Sequence, residues 1–369
     1  MKLKIGILGC RGIPNYYGGF EKMAECISVG LVKKGHCVTV YNSHNHPYGE
    51  KDFYGVRIKH CFDPEYKIGT TGQFIYDWNC IQDARKENYD VILFLGYTSS
   101  SVWGEFFPKH PVIISNMDGL EWKRSKYNYM TRQFLKQAER WAVKYSHFYI
   151  ADSIVIQNYL QRKFQIKCRY IPYGSEISYL NNNSLLSQYH ISKEDYYLLM
   201  ARMEPENNIE TILNGFNHSS SSKKFLVIAN TNNSLGQKLV NKFKSDKRIL
   251  FAGAIYDTAV TNTLKYFSRL YFHGHSVGGT NPSLLEAMGS RPLIAAHKND
   301  FNFSILEKDA YYFQSSMDVE KLIESVNRKE EEQQMVQNNL LKIEKKYNWP
   351  SIIEQYNEFI IECYDRHAK

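Results

Sequence analysis

The sequence predicts an α/β protein of two doubly wound, Rossmann-like parallel-sheet domains facing across a cleft. Three observations predict it. The chain has 369 residues, too many for one ordinary core and suited to two domains of about 150 to 200 residues each. Short β-rich apolar runs alternate with amphipathic stretches, the pattern of strands joined by crossover helices. Glycine-rich turns stand where several of these runs give way to helices, as in doubly wound sheets.

In the first half, strand-like runs occur at Lys4 to Leu8, Cys37 to Tyr41, Val56 to Lys59, Val91 to Leu95, Val112 to Ser115 and Phe148 to Ala151. Each is short, apolar and rich in β-branched or aromatic residues. Helical stretches such as Phe20 to Lys34, Gln73 to Glu87 and Arg132 to Tyr145 lie between them. After Tyr170-Ile171-Pro172-Tyr173-Gly174 and a polar stretch, alternation resumes at Tyr196 to Met200. Further strands are expected at Phe225 to Ala229, Ile249 to Phe251, Leu270 to Phe272 and Leu293 to Ala295. The boundary is placed near Tyr173, giving domains 1–173 and 174–350. From Val319 the pattern is helical, with a break at Trp349-Pro350 and a last helix over about Ser351 to Tyr364.

Composition narrows the function classes. Hydrophobic residues make up 43% and aromatic residues 14%, as in a folded globular chain rather than a disordered one. The opening MKLKIGILGC runs straight into Arg11 and Pro14, so it reads as a buried first strand, not a signal peptide. No apolar run approaches the ~20 residues that cross a bilayer. Seven cysteines without a C-x-x-C pair fit a reducing cytoplasm. A net charge of +8 suits nucleic acid, anionic lipid or phosphorylated small molecules, and charge alone does not choose among them.

Three loops carry the chemistry. In GILGCRGIPNYYGGFEK the spacing of Gly6, Gly9 and Gly12 departs from G-x-G-x-x-G because Leu8 intervenes, which weakens a dinucleotide-binding reading. Gly18 and Gly19 instead precede a helix, where bare amides and the positive helix end can approach phosphate; a turn for chain reversal is the plainer alternative. In ARMEPENNIETILNGF, Arg202 stands at the carboxyl end of a strand, where a guanidinium can hold a diphosphate by two parallel hydrogen bonds; a lone surface salt bridge is the plainer alternative. In HGHSVGGTNPSLLEAMGSRPLIA, Gly278, Gly279, Thr280 and Asn281 precede a helix starting near Pro282, a second anion site or, read as an isolated pattern, a capped helix with a solvated Glu. Glu286, one turn on, can accept hydrogen bonds from ribose hydroxyls. No D-x-D occurs and no carboxylate cluster suggests a metal. Leaving-group charge then falls to Arg202 and the helix ends.

GCRGIPNYYGGFE, NMDGLEWKR, ADSIVIQNYL, YIPYGSE, ARMEPENN and GHSVGGTNPSLLEAM together resemble the retaining GT-B glycosyltransferases of the group-one type. Within them the chain resembles the rhamnosyltransferase-like branch of bacterial capsule and exopolysaccharide synthesis. The resemblance spans essentially the whole chain. It implies that Gly18 and Gly19 line the donor phosphates and the transferred sugar, and that Asp118 lies where relatives place a polar residue, often His, facing the reacting sugar. Asp118 also suits a turn or helix cap. It further implies Arg202 on the diphosphate, Gly279, Thr280 and Asn281 on phosphate or sugar, Glu286 on ribose, and a final helix, about 351–369, crossing back onto the first domain.

Two positions depart from the family pattern. Asn207 stands where a Lys usually grips the diphosphate, so the missing positive charge is sought at Arg11 and then at His275. Gly278 stands where the first of two glutamates is common, which suits a less hydroxylated sugar such as a 6-deoxyhexose.

The expected reaction is transfer of a sugar, L-rhamnose from dTDP-rhamnose or else a UDP-linked sugar, to a glycan acceptor on a lipid, with retention. No cofactor, metal or nucleic acid is expected. The basic, aromatic segment 120–145 suits peripheral contact with an anionic membrane at the inner face of the plasma membrane, or simply a solvated helix face. A GT-B-fold nucleotide-sugar epimerase and a catalytically silent sugar-nucleotide-binding protein are the alternatives. A nicotinamide-dependent dehydrogenase is disfavoured, because Tyr41-Asn42-Ser43 stand where a ribose-binding acid belongs.

Overall fold

The computed structural model describes residues 1–16, 18–179, 182–326 and 330–367. The chain forms two compact units. One comprises Met1–Lys123, Tyr127–Gly174 and Trp349–Lys369; the other comprises Arg124–Lys126 and Ser175–Asn348.

The first unit holds an eight-stranded sheet of β1 (Lys4–Leu8), β2 (Cys37–Ser43), β3 (Asp52–Phe53), β4 (Val56–Cys61), β5 (Val91–Leu95), β6 (Val112–Asn116), β7 (Phe148–Ala151) and β8 (Cys168–Tyr170). Their order is β3-β4-β2-β1-β5-β6-β7-β8. Every pairing is parallel except that of β3 with β4. β5 is apolar and buried along its whole length, as a strand covered on both faces must be. The β3–β4 hairpin turns through Tyr54 and Gly55, both at positive φ, which is the backbone a two-residue hairpin loop requires.

The last helix, Trp349–His367, belongs to this unit. It begins at the Trp349-Pro350 pair where the sequence suggested only a break, because proline is well placed in a first helical turn. Residues 368–369 lie outside the described residues. The helix packs on helix Gly19–Lys33. A Cβ at Gly30 would stand 2.5 Å from Ile353, so this close approach depends on glycine. Asn116 donates to the Tyr356 hydroxyl at 3.3 Å, and His36 meets Asn357 at 2.8 Å.

The second unit holds β9 (Tyr196–Met200), β10 (Lys224–Ile228), β11 (Ile249–Phe251), β12 (Leu270–His273), β13 (Ile294–His297) and β14 (Tyr311–Phe313). Their order is β11-β10-β9-β12-β13-β14, parallel throughout. One face of its core is aromatic: Tyr197, Phe216, Phe225, Phe272 and Phe313 are buried together. Each such burial contributes about 1.5–3 kcal/mol.

Both sheets are doubly wound. In the first unit the chain reverses its direction of strand addition between β1 and β5, and in the second between β9 and β12. At each reversal the loops leaving the two central strands diverge, and the crevice between them at the carboxyl ends is where such sheets bind ligands.

Candidate functional site

In the second unit, Arg202 leaves β9 and the 274–281 loop leaves β12, so both flank the switch point. Arg202 is exposed, and its guanidinium makes no ion pair or hydrogen bond among the described residues. The chain then turns through a short 3-10 segment, Pro205–Asn207, whose Glu206 and Asn207 are buried. Asn208, in the left-handed conformation, starts helix Ile209–His218.

Asn207 joins the two loops. Its Nδ2 donates to the Arg202 carbonyl at 2.7 Å, and its Oδ1 lies 2.9 Å from His275 Nδ1. Asn208 donates to the Gly274 carbonyl at 2.8 Å, and Ser276 donates through its amide and hydroxyl to the Glu206 carbonyl. The approach is so close that a Cβ at Gly274 would stand 1.9 Å from the Asn207 carbonyl oxygen. Only glycine permits it.

His275 carries no positive charge near pH 7 in this environment. Burial pushes its imidazolium down to about 4, and Arg124 adds to the effect. His273, buried with its Nε2 unpartnered among the described residues, is pushed by burial to about 3. Both rings are therefore neutral near pH 7. Arg11, the other expected source, lies in the first unit and is already engaged: its Nε and Nη2 each donate to Glu65 at 2.8 Å.

Gly278 has φ +146°, and a Cβ there would lie 2.9 Å from His275 Nε2. The imidazole thus occupies the space next to the position where the family pattern has a carboxylate. Thr280 is buried. Asn281 caps helix Pro282–Ser290, accepting from the Ser283 amide at 2.9 Å and the Ser283 hydroxyl at 2.7 Å. That use of Oδ1 changes the expected donor set. Pro282 has no N–H and the Ser283 amide is capped, so an anion here would meet the preceding loop, Gly279 included, more than the helix itself. Glu286 is exposed and stands 3.9 Å from Lys265 Nζ, a buried lysine whose pKa burial lowers.

The segment Arg124–Lys126 belongs to this unit. Arg124 pairs with the buried Glu206 at 3.3 Å, while Glu206 Oε2 has no partner among the described residues. Nothing in the sequence spacing announced that pairing.

In the first unit, Gly18 is extended and Gly19 opens helix Gly19–Lys33. The buried Glu21, in that first turn, accepts from the Arg11 amide at 3.0 Å. Its carboxylate already answers the positive helix end, so an anion placed at Gly18 and Gly19 would share that dipole with Glu21. Asp118 is half-buried just past β6. A further group, Asp77, was not singled out from sequence. It is buried, accepts from the Ser99 hydroxyl at 2.6 Å, and is raised to about 7 by burial and by the charge of Asp63. Its signal was a carboxylate on the helix face that also carries Tyr76, Cys80 and Ala84. Among the described residues, no three His, Cys, Asp or Glu side chains converge as metal ligands.

A protein-family model described as a domain of unknown function, DUF1972, matches residues 2–176. No curated protein matches the sequence. Solved structures match over nearly the whole chain. A sucrose-phosphate synthase from Thermosynechococcus elongatus aligns with TM-score 0.79 at 14% identity, covering 99% of this chain and 100% of that one. Anabaena HepE in complex with UDP-glucose aligns with TM-score 0.75 at 14% identity, covering 98% and 100%. A glycosyltransferase from Rickettsia africae aligns with TM-score 0.73 at 11% identity, covering 98% of each chain. At such identities the likeness establishes the fold, GT-B with two Rossmann-like parallel-sheet domains.

Proposed function

We propose that the protein is a glycosyltransferase taking a sugar from a nucleotide diphosphate to a hydroxyl of a lipid-linked glycan acceptor, with retention and without a metal. The observation that carries the proposal is the gathering of Arg202, the Asn207–His275 bridge and the 278–281 loop at the switch point of the second unit. An exposed guanidinium there suits a diphosphate, and the exposed Glu286 suits ribose hydroxyls. HepE, solved with UDP-glucose, supports a nucleotide sugar as the ligand class.

The preferred donor is dTDP-rhamnose, with UDP-sugars as the alternative. Gly278 offers no carboxylate, and the neighbouring His275 offers a neutral ring, a pairing that suits a sugar with one hydroxyl fewer. In the reaction the bond from the sugar's anomeric carbon to the diphosphate oxygen breaks as the acceptor oxygen bonds from the same face. The acceptor proton passes to the leaving phosphate oxygen, and Arg202 with the loop amides carries the charge. The loop holding Asp118 is assigned to the reacting sugar, and Gly18 and Gly19 to the donor phosphates.

The test is a thermal-shift panel of dTDP-rhamnose and UDP-sugars, followed by a product assay with and without acceptor, since a ligand of the native state raises apparent stability. Arg202→Ala should cut turnover about ten- to a thousandfold. The proposal fails if none of these nucleotide sugars shifts the melting temperature. The uncharged Asn207 favours one second reading, a sugar-nucleotide-binding protein without turnover, which would show the shift and no product. Conversion of donor without acceptor would mark an epimerase.

A further inference from the structure

Two helices of the second unit meet through side chains spaced one helical turn apart. On helix Thr258–Phe267 these are Asn262 and Lys265, and on helix Pro282–Ser290 they are Glu286 and Ser290. Ser290 Oγ donates to Asn262 Oδ1 at 3.0 Å and to the Glu286 carbonyl at 2.7 Å. One turn along, Lys265 Nζ lies 3.9 Å from Glu286 Oε2. The earlier residue on each helix meets the later one on the other, so the two run antiparallel, and the Ser290–Asn262 bond fixes their register.

The Lys265–Glu286 pair is lopsided. The lysine side chain is 5% exposed and the glutamate side chain 56%. An ion pair at a surface needs no buried partner, and withdrawing an ammonium from water is costly unless it is paired. Yet Lys265 Nζ makes no hydrogen bond among the described residues, where Glu286 is its one carboxylate partner. On β12, Tyr271 is buried with its hydroxyl unpartnered among the described residues. Burial and then the charge of Glu286 raise this phenol, and the same charge opposes the lowering of Lys265 by burial. The carboxylate is thus within electrostatic reach of both buried groups, with Oε2 the oxygen turned toward the lysine.

We propose that Lys265 is a positioning residue, drawing Glu286 Oε2 inward so that Oε1 is presented to a single hydroxyl of the donor's pentose. The inference rests on the assignment of Glu286 to ribose under the transferase reading. A carboxylate that accepts from both ribose hydroxyls uses both oxygens. With one oxygen drawn to a buried ammonium, the other serves the 3′-hydroxyl, which ribose and 2′-deoxyribose share. Such a site gains little from a 2′-hydroxyl, and a thymidine diphosphate suits it. Without Lys265 an exposed glutamate samples several rotamers and loses that freedom on binding. A contact held by a locked neighbour is spared that loss.

The experiment is calorimetric titration of the full chain with UDP, its 2′-deoxy analogue, dTDP and 3′-deoxythymidine diphosphate. UDP and its 2′-deoxy analogue should bind alike, and dTDP about tenfold tighter than the 3′-deoxy compound. Lys265→Met should weaken dTDP binding about tenfold and abolish that preference. The melting temperature of the nucleotide-free chain should hold or rise, since an apolar side chain replaces a buried charge. In a Glu286→Gln background Lys265→Met should add no further loss. Should Lys265→Met not fold, Glu286→Gln, at an exposed position, must by itself abolish the 3′ preference, and a preference that survives it overturns the proposal. A clear preference for UDP over its 2′-deoxy analogue overturns it, as does weaker binding in Lys265→Met with the 3′ preference intact, the mark of a merely structural lysine. Unchanged affinity in Lys265→Met overturns this proposal alone. A parent chain that binds none of the four nucleotides overturns the transferase reading and this inference with it.

Discussion

His275 Nδ1 and Asn207 Oδ1 lie 2.9 Å apart, and the direction of that hydrogen bond is set by the amide's other end. Asn207 Nδ2 donates to the Arg202 carbonyl at 2.7 Å, so Oδ1 must accept and His275 Nδ1 must carry the proton. A lysine at 207 could accept nothing. Asn207 therefore holds a neutral imidazole in one tautomer and fixes the backbone from which Arg202 projects.

Truncating Asn207 to Ala should leave the half-buried His275 ring N–H and the Arg202 carbonyl without these partners. Each such loss costs about 1–3 kcal/mol. Urea unfolding should report a lower midpoint with an unchanged slope, and an unaltered midpoint would show that the bridge contributes nothing to stability.

His273, buried, and His275, half-buried, set a pH dependence with a definite sign. Their folded values, about 3 for His273 and about 4 for His275, lie below the unfolded value of about 6.5. The unfolded chain then binds more protons between pH ~6.5 and ~4, and stability falls as pH falls through that window. His273→Phe should flatten this part of the urea-midpoint profile. An equally steep profile in the variant would remove His273 from the effect.

Much of the fold was legible because fully buried parallel strands read as unbroken apolar runs, as at Val91–Leu95. What escaped had no such run. β8 is three residues of which none is buried, and β3 is a two-residue edge whose only signal was Tyr54-Gly55. The positions of the site loops were readable from glycines and strand ends, but their charges were not. Arg11 meets Glu65 across 54 residues of sequence, and the state of His275 depends on burial by a neighbouring loop. Both are tertiary facts, absent from local spacing.

A glutamate at position 278 should not be tolerated. Gly278 sits at φ +146°, a backbone state nearly closed to other residues, with His275 Nε2 2.9 Å from the missing Cβ. Gly278→Glu should lower stability by about 1–3 kcal/mol and depress donor binding, read by thermal shift. A variant as stable as the parent and with tighter donor binding would show that the loop relaxes freely.

Asp77 should act on stability with the opposite sign to the histidines. Its folded value, about 7, lies above the unfolded value of about 3.9. The native state then holds the extra proton between those limits, and ionisation weakens it as pH rises through 7. An amide at this position has no charge to desolvate and can still accept from Ser99, whose hydroxyl lies 2.6 Å from Oδ2. Asp77→Asn should therefore raise the urea midpoint more at pH 8.5 than at pH 5.5. Because burial comes first among the causes of the shift, the gain should persist in high salt, where a surface charge effect would fade. A gain equal at both pH values would mean that the Asp77 carboxyl titrates well outside this range.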